Sequence, residues 1–125
     1  MAEWAKVEQY IKQKYVVAEQ HKDWLILDFD LAGGRAQRVT VTTAGGLIQF
    51  LSPFASLTEV DINQVLAALR AESILLGITG VDDLLLVTHS QLLTTADEEE
   101  IDFGIRLVTE SADLLEARLS RGDRF

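Results

Sequence analysis

No cysteine occurs among the 125 residues, which excludes disulfides, thiolate nucleophiles and zinc sites built on sulfur. A cysteine-free chain fits a reducing compartment, and the expectation is a cytoplasmic protein. Long apolar runs are also missing: none approaches the roughly 18 residues of a membrane span. The start, Met1-Ala2-Glu3-Trp4-Ala5-Lys6, lacks the basic-then-apolar pattern of a secretion signal. Basic side chains are scarce, 11 Lys and Arg against 20 Asp and Glu, and the formal net charge of −9 repels phosphate backbones and anionic membranes. Neither nucleic acid nor a membrane is an expected partner, and the acidity reads first as an aid to solubility. Proline occurs once, at Pro53.

What the chain has is apolar patterning. A hydrophobic content of 48% over this length suits one domain, residues 1–125, burying about two thirds of its unfolded surface. No internal repeat or linker interrupts it. Glu3 to Lys14 reads as an amphipathic helix with Trp4, Val7 and Ile11 on one side. Tyr15 to Glu19 reads as either a frayed helical turn or a short strand, the strand being favoured by its β-branched residues.

Trp24 to Leu31 alternates strictly, with Leu25, Leu27, Phe29 and Leu31 on one face and Trp24, Ile26, Asp28 and Asp30 on the other. After turn signals at Ala32-Gly33-Gly34-Arg35 and Gly45-Gly46, Gln37 to Thr43 and Leu47 to Phe54 continue a meander. A two-residue Gly45-Gly46 loop sets Val41 opposite Phe50 and Thr43 opposite Ile48. For the first hairpin, an odd loop over Ala32 to Ala36 sets Leu27 opposite Val41, Phe29 opposite Val39 and Asp30 opposite Arg38. Pro53 falls near the end of its strand, where a missing N–H costs least.

Thr58 or Asp61 caps a helix whose stripe is Ile62, Val65, Leu66 and Leu69. Ile74 to Thr79 and Leu84 to Ser90 flank Gly80-Val81-Asp82-Asp83 as a hairpin whose poorly alternating arms suggest central or doubly covered strands. Thr95 and Glu98 have capping-box spacing before a long final helix, and its acidic first turn suits the helix dipole. On that helix Ile101, Ile105, Val108, Ala112, Leu115 and Leu119 form one stripe, while Phe103, Leu107 and Leu114 cluster on the other side. The expected fold is α+β, a two-layer sandwich of a mainly antiparallel sheet with helices, in the order α-β-β-β-α-β-β-α, with room for an extra short strand after the first helix.

This order, together with the pattern of Ile74-Leu75-Leu76-Gly77-Ile78, the Val81-Asp82-Asp83 turn, Leu84-Leu85-Leu86-Val87, the Gln91-Leu92-Leu93 exit and the acidic start of the last helix, resembles the type III secretion chaperone-like fold, including YbjN-like proteins and uncharacterised cyanobacterial relatives. The resemblance covers nearly the whole chain and rests on pattern, without signature residues. It implies a homodimer that binds segments of client proteins through apolar patches, without a cofactor. Fold analogy alone does not carry function across.

Candidate chemistry is thin. Asp28 and Asp30 share a strand face and could share a cation, but a solvated face balanced by Arg38 is the plainer reading. His89 shares parity with Leu85 and Val87 and could act as a base, yet no sequence motif supplies a nucleophile or an orienting carboxylate. His21 reads as solvent-facing. The pairs Gly33-Gly34 and Gly45-Gly46, and Gly77-Ile78-Thr79-Gly80, fit no phosphate-loop or dinucleotide pattern and read as turn glycines. Arg121-Gly122-Asp123 spells an adhesion tripeptide but reads as a helix terminus capped by Gly122.

Apolar surface is the stronger feature. Trp24 and Ile26 on one strand and Leu47 and Leu51 on another, with Phe103, Leu107 and Leu114 on the last helix, define two surfaces for partners, unless an intrachain layer covers one of them. If one patch covers the other across a twofold axis, the dimer is isologous. The sequence is therefore read as a non-enzymatic, chaperone-like or adaptor protein, a homodimer with an unidentified client, with no catalytic residue, metal or cofactor. The alternatives are a regulatory domain binding a small apolar ligand between helix and sheet and, behind it, a small enzyme using Asp28, Asp30 or His89.

Overall fold

The computed structural model describes residues 3–119, apart from the side chain of Ala32. The Arg121-Gly122-Asp123 tripeptide, its capping glycine and the first two residues lie outside the described residues. The elements are α1 (Trp4–Lys14), β1 (Val17–Gln20), β2 (Trp24–Asp30), a 3-10 turn at Ala32–Gly34, β3 (Ala36–Ala44), β4 (Leu47–Ser56), α2 (Ile62–Ala71), β5 (Gly77–Val81), β6 (Leu84–Leu92) and α3 (Glu98–Leu119). The fold is α+β, with three helices and a six-stranded antiparallel sheet among the described residues; the optional strand after α1 is present as β1.

The sheet order is β1-β2-β3-β4-β6-β5. α2 carries the chain past the position of β6 to the far edge, and the β5–β6 hairpin then returns to pair β6 with β4. Of the two arms of this hairpin, β6 alone is therefore central. The expectation that both arms of this hairpin are covered is corrected for β5, which is an edge strand, and its turn is the tighter Asp82-Asp83, with Asp82 at φ 53°. Gly77 and Gly80 lie inside β5 rather than in a turn.

Helical period and strand alternation meet in one core. Ile101, Ile105, Val108, Ala112, Leu115 and Leu119 of α3 are all buried, over Leu25, Leu27, Val39, Val41, Ile48, Phe50 and Val87 of the sheet. Gly104 lets α3 approach closely: a Cβ there would lie 2.7 Å from Cε2 of Phe50. α1 adds Val7 and Ile11, and Asp102 of α3 fastens it by accepting from Tyr10 Oη at 2.7 Å, Tyr15 Oη at 2.6 Å and Lys14 Nζ at 2.6 Å.

The Gly45-Gly46 hairpin has the expected register, Val41 with Phe50 and Thr43 with Ile48, and both glycines have positive φ, as a two-residue hairpin loop requires. The first hairpin differs from expectation by two residues. Leu25 faces Val41, Leu27 faces Val39, and Asp28 rather than Asp30 faces Arg38. A shift of two keeps every side chain on its face, so the apolar pattern could not detect it. The N-cap of α3 is likewise corrected from Thr95 to Asp97, which exchanges backbone and side-chain bonds with Glu100. Asp61 caps α2 in the same way with Gln64.

Candidate functional site

All three helices contribute to one core, and the side chains of opposite parity in the strands face away from it. That helix-free face holds Trp24, Ile26, Leu47 and Leu51. Register rows align Ile26 with Thr40, Leu51 and Thr88, and Trp24 with Thr42, Gln49 and Ser90. Sheet neighbours shield Ile26 to 8% exposure, Leu47 and Leu51 are half-buried, and Trp24 at 36% is stacked on His21 with ring centroids 3.7 Å apart. His21, read as solvent-facing from the sequence, thus stacks on the Trp24 ring. Threonines and the Arg38–Asp28 pair, bidentate at 2.8 and 3.0 Å, hydrate much of the rest. The four residues share a face, but one alternating with polar groups.

On α3, Phe103 is 45% and Leu114 48% exposed, while Leu107 is half-buried. Phe103 is partly answered within the chain. Its ring lies edge-on to His89 at 6.1 Å, and Arg106 stands 5.7 Å from its centroid. His89 sits between Phe50 and Phe103 on the helix side of the sheet, and burial lowers its pKa. Asp28 and Asp30 lie on the helix-free face, so the joint action of these carboxylates with His89 is excluded by the sheet between them.

A third surface was not anticipated. α2 was expected to bury Ile62, Val65, Leu66 and Leu69 as one stripe; Val65 and Ala68 are buried and Leu69 is partly buried, while Ile62 and Leu66 remain about half exposed. With Leu57, Leu75, Val81 and Leu84, they place more than half of the large exposed apolar side chains of the described residues in the segment 57–84. Leu75 is 97% exposed. Among the described residues β5 is an edge strand, and Ile74 to Val81 carries no charge. The opposite edge, β1, is interrupted by a bulge and carries Glu19, both devices that discourage strand addition.

No protein-family model, curated protein or solved structure matches the chain. The geometry of its own residues therefore carries the functional argument.

Among the described residues no group of three or more His, Asp or Glu could hold a metal, and no helix is long and apolar enough to cross a membrane. Asp28 is held below the ordinary carboxylate range by Arg38, so it is committed to an ion pair. Burial pushes Asp102 upward, but the bonds from Lys14, Tyr15 and Tyr10 outweigh it and the carboxyl titrates low. Both arrangements are structural clasps. Neither presents an unengaged acid or base next to a nucleophile.

Proposed function

We propose that the chain is a non-enzymatic protein-binding module that pairs with a second copy of itself through the β5 edge and receives a client segment on another apolar surface. The observation that carries this reading is an uncharged, unblunted edge strand, flanked by exposed apolar residues, in a chain of net charge −9. Two such acidic chains repel over most of their surface, and this strip is where approach costs least.

A twofold, antiparallel pairing centred on Thr79 supports itself sterically. It sets Ile78 opposite the partner's Gly80 and Gly77 opposite the partner's Val81, a large residue against a small one in each row. It also places the Asp82-Asp83 turn beside the partner's Leu75 and Leu76 instead of beside its own copy. The resemblance to the type III secretion chaperone-like fold favours the same reading, because it implies homodimers with client segments. The client surfaces are the helix-free face around Trp24, Ile26, Leu47 and Leu51 and the α3 flank of Phe103, Leu107 and Leu114. A cysteine-free chain of this kind suits the cytoplasm.

Substitution separates the surfaces. Thr79→Lys should halve the mass measured by light scattering while leaving circular dichroism unchanged. Leu107→Glu with Leu114→Glu should leave the dimer whole. A dimer lost through the α3 pair and kept in Thr79→Lys would move the interface to α3. A second reading, a domain regulated by a small apolar ligand, draws on an open groove of about 450 Å³ at one end of the sheet, whose lining includes Pro53, Phe54, Val60 and Leu84 beside Arg38, Glu59 and Glu116.

A further inference from the structure

Gln91, near the end of β6, ties that strand to the first turn of α3. Its Nε2 donates to the Glu100 carbonyl at 2.6 Å and lies 3.3 Å from His89 Nε2, two residues back on the same side of the strand. A carbonyl oxygen can only accept, so the atom facing it is the amide nitrogen, which fixes the orientation of the Gln91 amide. An amide nitrogen brings protons and no acceptor. His89 Nε2 is therefore the acceptor of this contact, and the neutral ring carries its proton on Nδ1. Gln91 Oε1 is turned into a shielded position without a hydrogen-bond partner.

A proton on His89 reverses this geometry. Nε2 then becomes a donor facing a donor, and the unengaged Oε1 of Gln91 is the atom that can answer it. Turning the amide to bring Oε1 to the ring takes its nitrogen off the Glu100 carbonyl and sets two acceptors against each other, so the tie between β6 and α3 is lost. The His89 ring lies between Phe50 at 5.9 Å and Phe103 at 6.1 Å and is only half-buried, so water reaches it. β4, β5 and β6 carry no Asp, Glu, Lys or Arg. From α3, Glu99 and Glu100 stand in the turn that Gln91 holds, Arg106 lies 5.7 Å from the centroid of the outer ring, Phe103, and Asp102 is engaged by Tyr10, Lys14 and Tyr15. Burial holds the His89 pKa below its ordinary value, so the neutral ring is the resting form at pH 7.

We propose that His89, Gln91 and the Glu100 carbonyl form a proton-operated latch, closed on neutral His89 and opened when Nε2 takes a proton, which sets how firmly the first turn of α3 and the Phe103 flank are docked on β6. As regulation of a client surface the inference rests on the proposed function. The latch itself does not, and it is read on the purified chain without client.

NMR of the imidazole nitrogens and the Gln91 side-chain amide, with backbone hydrogen exchange over a pH series, tests it. Neutral His89 is expected as the Nδ1–H tautomer, and the Gln91 amide resonances should move with the same midpoint as the ring. Gln91→Met keeps the size of the side chain and removes the donor. At neutral pH the amides of Glu100 to Gly104 should exchange about threefold or more slowly in the unaltered chain than in Gln91→Met, and the difference should vanish once His89 is protonated. By linkage Gln91→Met should raise the His89 midpoint, because the lost donor favoured the neutral ring alone. A neutral ring protonated on Nε2, Gln91 resonances that ignore the titration, or a His89 midpoint unmoved or lowered by Gln91→Met would overturn the proposal. Tautomer and resonances are read in the unaltered chain, so they decide the matter even if Gln91→Met fails to fold. Scattering mass, measured in parallel, reports the dimer and not the latch, which keeps the two failures distinguishable.

Discussion

Gly104 offers a test in which two physical effects have opposite signs. Glycine within a helix costs about 1 kcal/mol relative to alanine, so Gly104→Ala should stabilise α3 on propensity alone. The added Cβ would stand 2.7, 2.8 and 2.9 Å from Cε2, Cζ and Cδ2 of Phe50. Carbon contacts are favourable at about 3.5–4.0 Å, so the ring must retreat by roughly 0.8 Å or more. Phe50 is fully buried in register between Val41 and His89, and α3 is fixed along its length by Ile101, Ile105 and Val108. Overpacking of this kind costs about 1–3 kcal/mol. The expected result is a net loss of up to about 2 kcal/mol, read as a fall of several degrees in the thermal midpoint and a lower urea midpoint at constant slope. In a Phe50→Leu background the same substitution should be neutral or stabilising, a coupling above about 0.5 kcal/mol. A raised midpoint for Gly104→Ala alone, or the same effect in the Phe50→Leu background, would refute the close approach of α3 to the sheet.

Two further outcomes follow from titration. Asp102 titrates low in the folded chain, so its contribution is present above the unfolded value of about 3.9 and is lost as pH falls through the folded value. Lys14, raised by Asp102, loses its share only as pH climbs above its ordinary range. Asp102→Asn should lower the neutral-pH midpoint, with about 1–3 kcal/mol from the lost hydroxyl–carboxylate bond to Tyr15, and should flatten the acid limb of the stability profile; an unchanged acid limb would contradict the clasp. His89 is held neutral by burial, so its contribution is present above about pH 6.5 and fades as pH falls through its lowered folded value. His89→Leu should remove that component from the midpoint-versus-pH curve, and a curve unchanged between about pH 7 and 5 would place the ring in solvent.

The parts of this fold legible in the sequence are those set by a single period. The inner stripe of α3 and the alternation of β2 needed only the 3.6 and 2.0 repeats, and Gly45-Gly46 fixed its hairpin because a two-residue loop leaves one register. Degenerate signals failed where two solutions satisfy the same rule. Registers two residues apart bury the same face of β2, and both Thr95 with Glu98 and Asp97 with Glu100 fit a capping box.

The candidate surfaces were legible in part. Parity alone placed Trp24, Ile26, Leu47 and Leu51 together, but how much their threonine and ion-pair neighbours shield them depends on strands distant in sequence. The exposure of Ile62 and Leu66 depends on how wide a strip of core α2 meets, and the edge position of β5 on strand order, neither of which is written in local periodicity. The open groove depends on where β3 and β4 separate, and Pro53 was its only local mark.

The central claim is self-association through β5. Light scattering on the purified chain across a hundredfold range of concentration tests it most directly. The account predicts a mass near twice the 13.9 kDa of one chain, falling toward that value on dilution and, at all concentrations, in Thr79→Lys. A mass of 13.9 kDa throughout would contradict it.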